Sequence, residues 1–202
     1  MAVTKVNSVG LDWLALAAAT IRGAGASGTE TSTVDLSTSL RSGLTITVGH
    51  TDGNANANGV EVIVQVKYSA LAEDWRTLYT LRMGAGTATI ETLNDAAVEA
   101  AETTFVTTGT SMSTQGEQWL ILDGTDLNVE VVRQRSISTN TVTIVDALTL
   151  SHTNGLSLSN EVTEKYLPIP DDVSTVRVLF NNDDADAAMI VRVDVAKLTA
   201  AA

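Results

Sequence analysis

The residues best suited to acid-base or nucleophilic chemistry are two histidines, His50 and His152, in a chain of 202 residues. Each lies next to a threonine or a serine, so a Ser-His-Asp arrangement would need only a nearby carboxylate. The chain has no Gly-x-Ser-x-Gly segment, which is the turn that exposes the nucleophilic serine of many hydrolases. A loop histidine without a visible carboxylate partner is usually exposed and inert. The sequence therefore predicts no enzyme, no catalytic residues and no cofactor.

Metal chemistry has one candidate segment. The chain contains no cysteine, and its two histidines are far apart, which argues against a transition-metal site. Asp52, Asn54, Asn56 and Asn58 alternate in one loop and carry the oxygen ligands that calcium prefers. The loop lacks the closing bidentate glutamate, and asparagine and glycine also favour turns. We predict no metal, with calcium as the alternative, and we interpret the acidic residues at 181–186 as a hairpin turn.

Three tryptophans, Trp13, Trp75 and Trp119, could form a sugar-binding platform. Aromatic residues make up only 4% of the chain, and each tryptophan lies at the edge of an apolar segment. Packing in a core or an interface is the favoured interpretation.

Composition excludes several classes of partner. Twelve basic and 24 acidic residues give a net charge of -12, which disfavours direct contact with nucleic acid or anionic membranes. The apolar run at 14–21 is too short to span a bilayer, and the order of a signal peptide is missing. We therefore expect a soluble, untargeted protein. The 44% hydrophobic content indicates a folded chain whose stability comes from packing or assembly rather than disulfides.

The clearest fold signal is the segment 59–81. Val60, Val62, Val64 and Val66 alternate with polar residues, which predicts a long strand with one buried face. A turn containing Trp75 and a returning strand complete a predicted hairpin. The same pattern predicts strands at 33–36, 44–48, 103–106, 118–122, 127–134, 141–145, 175–180 and 189–195.

Other segments are less regular. Residues 1–12 have no periodicity and are predicted to be an arm that orders only against another surface. Residues 13–21 suit a strand better than an Ala-rich helix. The segment 93–102, with Asp95 as a cap, predicts a short helix. Pro168 and Pro170 exclude the positions around them from the centre of a sheet.

These elements predict an all-β protein, an antiparallel β-sandwich of jelly-roll type with an inserted small β-barrel-like module. The sandwich is predicted to comprise 1–84, with its N-terminal arm, and 164–202. The module is predicted to comprise 85–163, inserted at a loop tip.

Two stretches resemble known proteins. STVDLSTSLRSGLTITV at 32–48, the strand ending at Tyr68, the Trp75 turn and PIPDDVSTVRVLFNN at 168–182 resemble β-sandwich structural proteins of tailed bacteriophages. EQWLILDGTDLNVEVVRQRSISTNTVTIVDALTLSHTNG at 117–155 is similar to small β modules that recur in phage virion proteins. Neither stretch contains a catalytic motif.

The resemblance implies a virion component, most directly a capsid cement or decoration protein. Such a protein would be made in the host cytoplasm, bind the major capsid protein on the outer capsid surface and form a homo-oligomer, with a trimer favoured. A tail or fibre module that binds host-surface carbohydrate is the alternative, and tail and neck locations stay open. The residues expected to contact a partner are apolar residues near the N-terminus and polar residues of the 51–59 loop: Val9, Leu11, Trp13, Leu14, Leu16, Asp52, Asn54 and Asn56.

Overall fold

The structure is a computed structural model that describes residues 3–10, 14–16, 33–69, 74–112, 116–122 and 128–200. For residues 3–10, 199 and 200 it describes the backbone only. All the regular elements in these ranges are β-strands, and all their pairings are antiparallel, which confirms the predicted all-β class. Within the same ranges, no helix has the length and apolar character needed to cross a membrane.

The strands, in chain order, are β1 (Val3–Gly10), β2 (Leu14–Leu16), β3 (Val34–Asp35), β4 (Arg41–His50), β5 (Ala55–Asn56), β6 (Val60–Tyr68), β7 (Arg76–Met83), β8 (Gly86–Thr87), β9 (Ile90–Thr92), β10 (Ala97–Val98), β11 (Thr104–Val106), β12 (Gln118–Leu122), β13 (Glu130–Ser138), β14 (Thr141–Ile144), β15 (His152–Thr153), β16 (Ser157–Ser159), β17 (Val162–Ile169), β18 (Val173–Asn181) and β19 (Met189–Ala200).

Two sheets form a sandwich. The first has the order β1-β19-β4-β17, with β2 pairing the other end of β19, and the second has the order β3-β18-β6-β7. Proline cannot donate to a sheet ladder, and Pro168 accordingly lies in β17 at the edge of the first sheet. The predicted hairpin is present as β6 and β7, with Val64 opposite Tyr79.

The pairing follows the winding of a jelly roll. If β1 and β2 count as one interrupted strand, the sandwich strands along the chain are β1/β2, β3, β4, β6, β7, β17, β18 and β19. The first pairs with the last, the second with the seventh, the third with the sixth and the fourth with the fifth. Eight antiparallel strands divided between two sheets in this way form a jelly roll.

The sandwich core lies between the two sheets. Along β6, every second residue points inward, so Val62, Val64 and Val66 are fully buried while Glu61 and Gln65 lie on the outer face. The same alternation in β18 of that sheet, and in β4 and β19 of the facing sheet, supplies the other core residues: Leu44, Ile46, Val48, Val176, Val178, Phe180, Val191 and Val193.

A separate six-stranded sheet lies between β7 and β17 in the chain. Its six strands have the order β11-β14-β13-β12-β16-β9, and the two end strands meet. Thr108 N donates to Thr92 O at 2.9 Å, Asn94 N donates to Val106 O at 2.9 Å, and Leu93 bridges Thr107. The sheet therefore curls until its ends join, which gives a small barrel.

The barrel has its own core. Trp119 is fully buried at its centre, and Phe105, Met112 and Leu158 lie in the same cluster. On the outside of the barrel, Leu120 packs with Ile190 of the sandwich. A β-carbon at Gly49 would overlap Leu120 Cδ1, so glycine at this position lets the barrel wall approach the first sheet closely. The division into separate units at 84/85 and 163/164 stays a prediction.

The helix predicted at 93–102 is wrong. The segment contains β10, where Val98 pairs with His152, and the isolated bridge of Leu93. Asp95 does not cap a helix, because its Oδ2 accepts a hydrogen bond from Val106 N at 2.8 Å. Leu93 and Val98 are both buried, and a spacing of five residues does not place them on one helical face. Alanine-rich composition misled the prediction because alanine also fits exposed positions in short strands.

The N-terminal prediction also changes. Residues 3–10 were expected to order only against another surface, whereas they pair with β19 of the same chain. The strand predicted at 13–21 is present as β2 at 14–16. Trp13 and residues 17–21 lie outside the described residues.

Barrel stability is expected to depend on the buried carboxylate of Glu91, which is 6% exposed. Burial by itself would raise the pKa of Glu91, but hydrogen bonds from Ser111 and Gly109 outweigh it and hold the pKa below its ordinary value. This stabilisation is therefore present above the unfolded carboxyl pKa of about 4.3 and is lost as the pH falls through the folded value. We expect Glu91→Gln to cost roughly 1–3 kcal/mol at neutral pH.

Urea denaturation of the wild-type protein and Glu91→Gln between neutral pH and pH 3 measures this effect. The difference between the two free energies of unfolding should shrink as the pH falls below about 4.3. A difference that stays constant with pH would contradict the assigned role of the ionised carboxylate.

Candidate contact surface

Two polar loops that are distant in sequence meet at one end of the sandwich. The loop at 51–59 joins β4 to β6, and the loop at 182–188 joins β18 to β19. Thr51 Oγ1 donates to Ala188 O at 3.1 Å, and Ala57 N donates to Asp184 Oδ2 at 3.0 Å. The barrel leaves the sandwich at the same end, because Asn56 of β5 pairs with Gly86 of β8. This end is called the loop end below.

Asp184 joins the two loops. Its side chain is almost fully buried, and Asp186 N donates to its Oδ1 at 3.0 Å. The hydrogen bond from Asp186 N, together with those from Ala57 and Ala187, outweighs the effect of burial and lowers the pKa of Asp184. The residue that the sequence placed in a solvated turn is therefore an internal acceptor. Only the pairing of the two loops determines this role.

The predicted contact residues of the loop have different environments. Asn54 is exposed and Asp52 is half-buried, with Asp52 Oδ1 accepting from Asn54 N at 2.9 Å. Asn56 is fully buried, and its Oδ1 accepts from Gly59 N at 2.6 Å and from Asn58 N at 3.2 Å. The prediction of Asn56 as a contact residue is corrected accordingly, because its side chain holds the turn from inside.

The apolar residues near the N-terminus that were predicted to contact a partner also differ in burial. Leu16 is 1% exposed and belongs to the sandwich core, so its side chain offers no contact surface, and this prediction is corrected too. Leu14 is half-buried and packs against the same core. Val9 lies in β1, where only the backbone is described, and Leu11 and Trp13 fall outside the described residues.

The two asparagines are expected to respond differently to alanine substitution. Asn56→Ala removes the acceptor of two backbone N–H groups, one of them buried, and should cost about 1–3 kcal/mol. Asn54→Ala removes an exposed amide and should change stability by less than about 0.5 kcal/mol. Thermal denaturation of the two variants measures the contrast, and equal losses would contradict the internal role of Asn56.

Both histidines are buried, which corrects the expectation that they are exposed. His50 Nε2 donates to Gly84 O at 3.0 Å. His152 Nε2 lies 3.0 Å from Glu130 Oε2, so the carboxylate partner that the sequence did not reveal is present. Glu130 also accepts from Thr149 N at 2.7 Å. Among the described residues, Nδ1 of each histidine has no hydrogen-bond partner, so neither ring links a carboxylate to a nucleophile as a triad requires.

The tryptophans do not form a common platform. Trp119 lies inside the barrel, which confirms the interpretation that it packs in a core. Trp75 is half-buried on the outer face of the second sheet, with Lys67 Nζ 5.0 Å and Arg177 Cζ 4.3 Å from its ring centroid. Cation-π contacts of this kind attach the β6-β7 turn to the sheet. Trp13 falls outside the described residues.

An exposed aromatic residue that the sequence did not single out is Tyr166, on the outer face of the first sheet. It is 62% exposed, and its ring lies so close to Gly43 that a β-carbon there would overlap it. The ring borders a groove of about 520 Å³, lined also by Arg41, Pro168, Asp171 and Leu198 among others. The Tyr166 ring stabilises the edge strand β17 by covering Gly43 of β4. The other face of the ring remains accessible to a partner.

Charge is distributed unevenly along the chain. The segment 85–163 contains ten acidic and two basic residues, so it carries -8 of the net charge of -12. Within the described residues, no group of three or more histidine, aspartate or glutamate side chains is placed to hold a metal ion. Most of the net negative charge therefore lies in the segment that forms the barrel.

Comparisons with known proteins reveal only weak structural similarity. No family model and no curated protein matches the chain. Among solved structures, VP17, a capsid protein of bacteriophage P23-77, is 7% identical with a TM-score of 0.17, covering 99% of this chain and 100% of that one. A chain in the structure of infectious bursal disease virus, Gx strain, is 12% identical with a TM-score of 0.17, and the match covers 98% of this chain and 79% of that one. Similarity at this level establishes neither a common fold nor a common function.

Proposed function

We propose that the chain is a non-enzymatic structural component of a virion. In the finer form of the proposal, it is a capsid cement or decoration protein that binds the major capsid protein on the outer surface and bridges neighbouring subunits. The observation that carries the proposal is the strand order β1-β19-β4-β17 and β3-β18-β6-β7, which is that of a jelly roll. Jelly rolls are the architecture of many viral capsid domains, and of lectins and cupins.

The charge distribution supports a position on the outside of a shell. A net charge of -12 repels nucleic acid, so the inner surface next to a packaged genome is unfavourable. The barrel, as the more acidic part, is the part best suited to face solvent. The loop end, where exposed Asn54 and Asp183 lie beside the barrel, offers polar groups for contacts between proteins.

The mechanism of such a protein is mass action. A component that binds only the assembled shell stabilises the shell by an amount that grows with its concentration relative to its dissociation constant. No chemical step is needed, and the effect is measured as resistance of the particle to heat or osmotic shock.

Immunogold labelling of intact particles tests the proposal. Antibody against this chain should decorate the shell, and particles lacking the chain should lose infectivity at a lower temperature, which added purified protein restores. Absence of the chain from purified particles would overturn the virion proposal. Label confined to the tail would overturn the cement form and support the second candidate below.

The second candidate is a tail or fibre module that binds host-surface carbohydrate. Tyr166 is the specific observation in its favour, because its exposed ring is held in a groove that also contains Arg41 and Asp171. An aromatic face beside charged hydrogen-bonding groups suits a sugar ring. This site replaces the tryptophan platform considered from the sequence.

A glycan array with wild-type protein and Tyr166→Ala separates the two candidates. Binding that is lost in Tyr166→Ala and kept in the control Tyr68→Phe, which removes only a hydroxyl on β6 of the other sheet and outside the groove, would support the carbohydrate module. Silence of the wild-type protein across the array, together with label on the shell, would eliminate it.

A further inference from the structure

We propose that β1 is exchanged between copies of this chain, so that Val3–Gly10 of one copy pairs with β19 of a second copy. The acceptor is the stretch Asp194–Ala200 of β19, which pairs with β4 on its other side as far as Leu198. The inference identifies the partner of the N-terminal segment as another copy of the chain. It concerns the isolated protein and does not depend on a virion.

The first strand position of the jelly roll is divided into two parts that are held differently. β2 pairs with Met189–Val191, and its Leu16 is buried in the sandwich core. β1 covers the remainder of β19, from Asp194 onward. The first strand is therefore anchored through β2, and β1 can change its partner without removing Leu16 from the core.

The sequence of β1 lacks the regular apolar alternation that would favour one fixed position on the sandwich. Its apolar residues Val3, Val6 and Val9 are three apart in the sequence, which departs from the two-residue alternation typical of a strand with one buried face. Strand β4 of the same sheet instead places Leu44 and Ile46 on one face, and both are fully buried. The described pairing of β1 is a backbone ladder with β19, and any copy of β19 offers the same ladder.

The geometry of β1 also permits a change of direction. Its register against β19 shifts between Ser8 and Gly10, and the irregularity ends at a glycine. Glycine accepts many backbone conformations, so a different exit angle at Gly10 carries little steric cost. Exchange of an identical element reproduces the ladder of the closed form, which is why it is a low-cost route to an oligomer.

The other sheet edges are less suitable for exchange. β17 carries Pro168 and is connected to sandwich or barrel strands on both sides in sequence. β3 has only two residues in the ladder, Val34 and Asp35. β7 is joined to β6 in a hairpin. A β19 edge left open would also be a site for uncontrolled pairing, which a β1 from a second copy prevents.

Engineered cysteines test the exchange because the natural chain has none. Lys5 and Leu198 face each other in the β1-β19 register, within the separation that a disulfide spans. Isotope-labelled Lys5→Cys and unlabelled Leu198→Cys are refolded together from urea, oxidised and analysed by mass spectrometry. The expected result is a Lys5→Cys to Leu198→Cys heterodimer as the main disulfide-linked species. Lys67→Cys mixed with Thr175→Cys, an interior pair of the second sheet, should give only background.

The double variant carrying both Lys5→Cys and Leu198→Cys in one chain completes the test. Exchange predicts covalent dimers or larger rings on a non-reducing gel, and light scattering of the unmodified protein should give a multiple of 21.2 kDa. Oxidation entirely to monomer, with no heterodimer in the mixture, would overturn the proposal. If no disulfide forms in the mixture or in the double variant, the β1-β19 register itself is contradicted, and the exchange proposal is overturned as well.

Discussion

Replacing Val64 by aspartate is expected to abolish the folded sandwich. Val64 is fully buried, lies in the middle of β6 and faces Val178 and Tyr79 in the neighbouring strands. A carboxylate there would have no cation and no network of donors around it, and burial of such a group costs several kcal/mol. Domains of this size are stable by about 5–15 kcal/mol, so the loss is a large part of the total.

The control for this prediction is the next residue. Gln65 lies on the outer face of the same strand, and its Oε1 accepts from Arg177 Nε at 3.0 Å. Gln65→Glu keeps an acceptor at that position and should leave the thermal midpoint nearly unchanged. Near-ultraviolet circular dichroism and limited proteolysis measure both variants. A folded Val64→Asp protein with native protease resistance would contradict the assignment of β6 to the core.

Trp119→Ala should have the largest effect on the barrel. Trp119 is the largest fully buried side chain of the chain's described part, and truncation of a buried aromatic residue typically costs about 3–5 kcal/mol. The barrel has a core cluster distinct from that of the sandwich. We propose that 85–163 is a separate cooperative unit, in which case the barrel should unfold at a lower temperature while the sandwich keeps its own transition.

Hydrogen exchange measured by mass spectrometry distinguishes the two units. In Trp119→Ala, peptides from 85–163 should lose protection, whereas peptides from β4, β6 and β18 should keep it. Trp75→Ala is the matched control, because it removes a half-buried tryptophan held by exposed cation-π contacts worth about 0.5–1 kcal/mol each. Loss of protection in both regions together would mean one cooperative unit and would contradict the proposed division.

Strand positions were largely predictable because alternation is a local property. Val60, Val62, Val64 and Val66 carry their own signal, and the predicted strand at 118–122 coincides with β12. Alternation also indicated the sandwich, since each strand had one apolar face that needed a facing sheet. The short segment at 93–102 failed because β10 has only two residues and its partner, His152, is 54 positions from Val98.

The environments of individual polar residues were not predictable. Glu130 and His152 are 22 residues apart, and nothing between them indicates that their side chains meet in a buried pair. Asn54 and Asn56 look alike in the sequence, yet one is exposed and the other fully buried. The difference arises from strand pairing at β5, which places Asn56 inside the turn it stabilises.

What the sequence determined by itself is the set of chain-local properties: an all-β class, the β6-β7 hairpin, a strongly acidic balance concentrated in 85–163, and a chain without cysteine. Only the tertiary structure decided which loops meet, that the six-stranded sheet closes, and that Asp184 is internal. The physical reason is the distance along the chain. Ala57 N and Asp184 Oδ2 are joined across 127 residues, and such a contact depends on how the two sheets wind around each other.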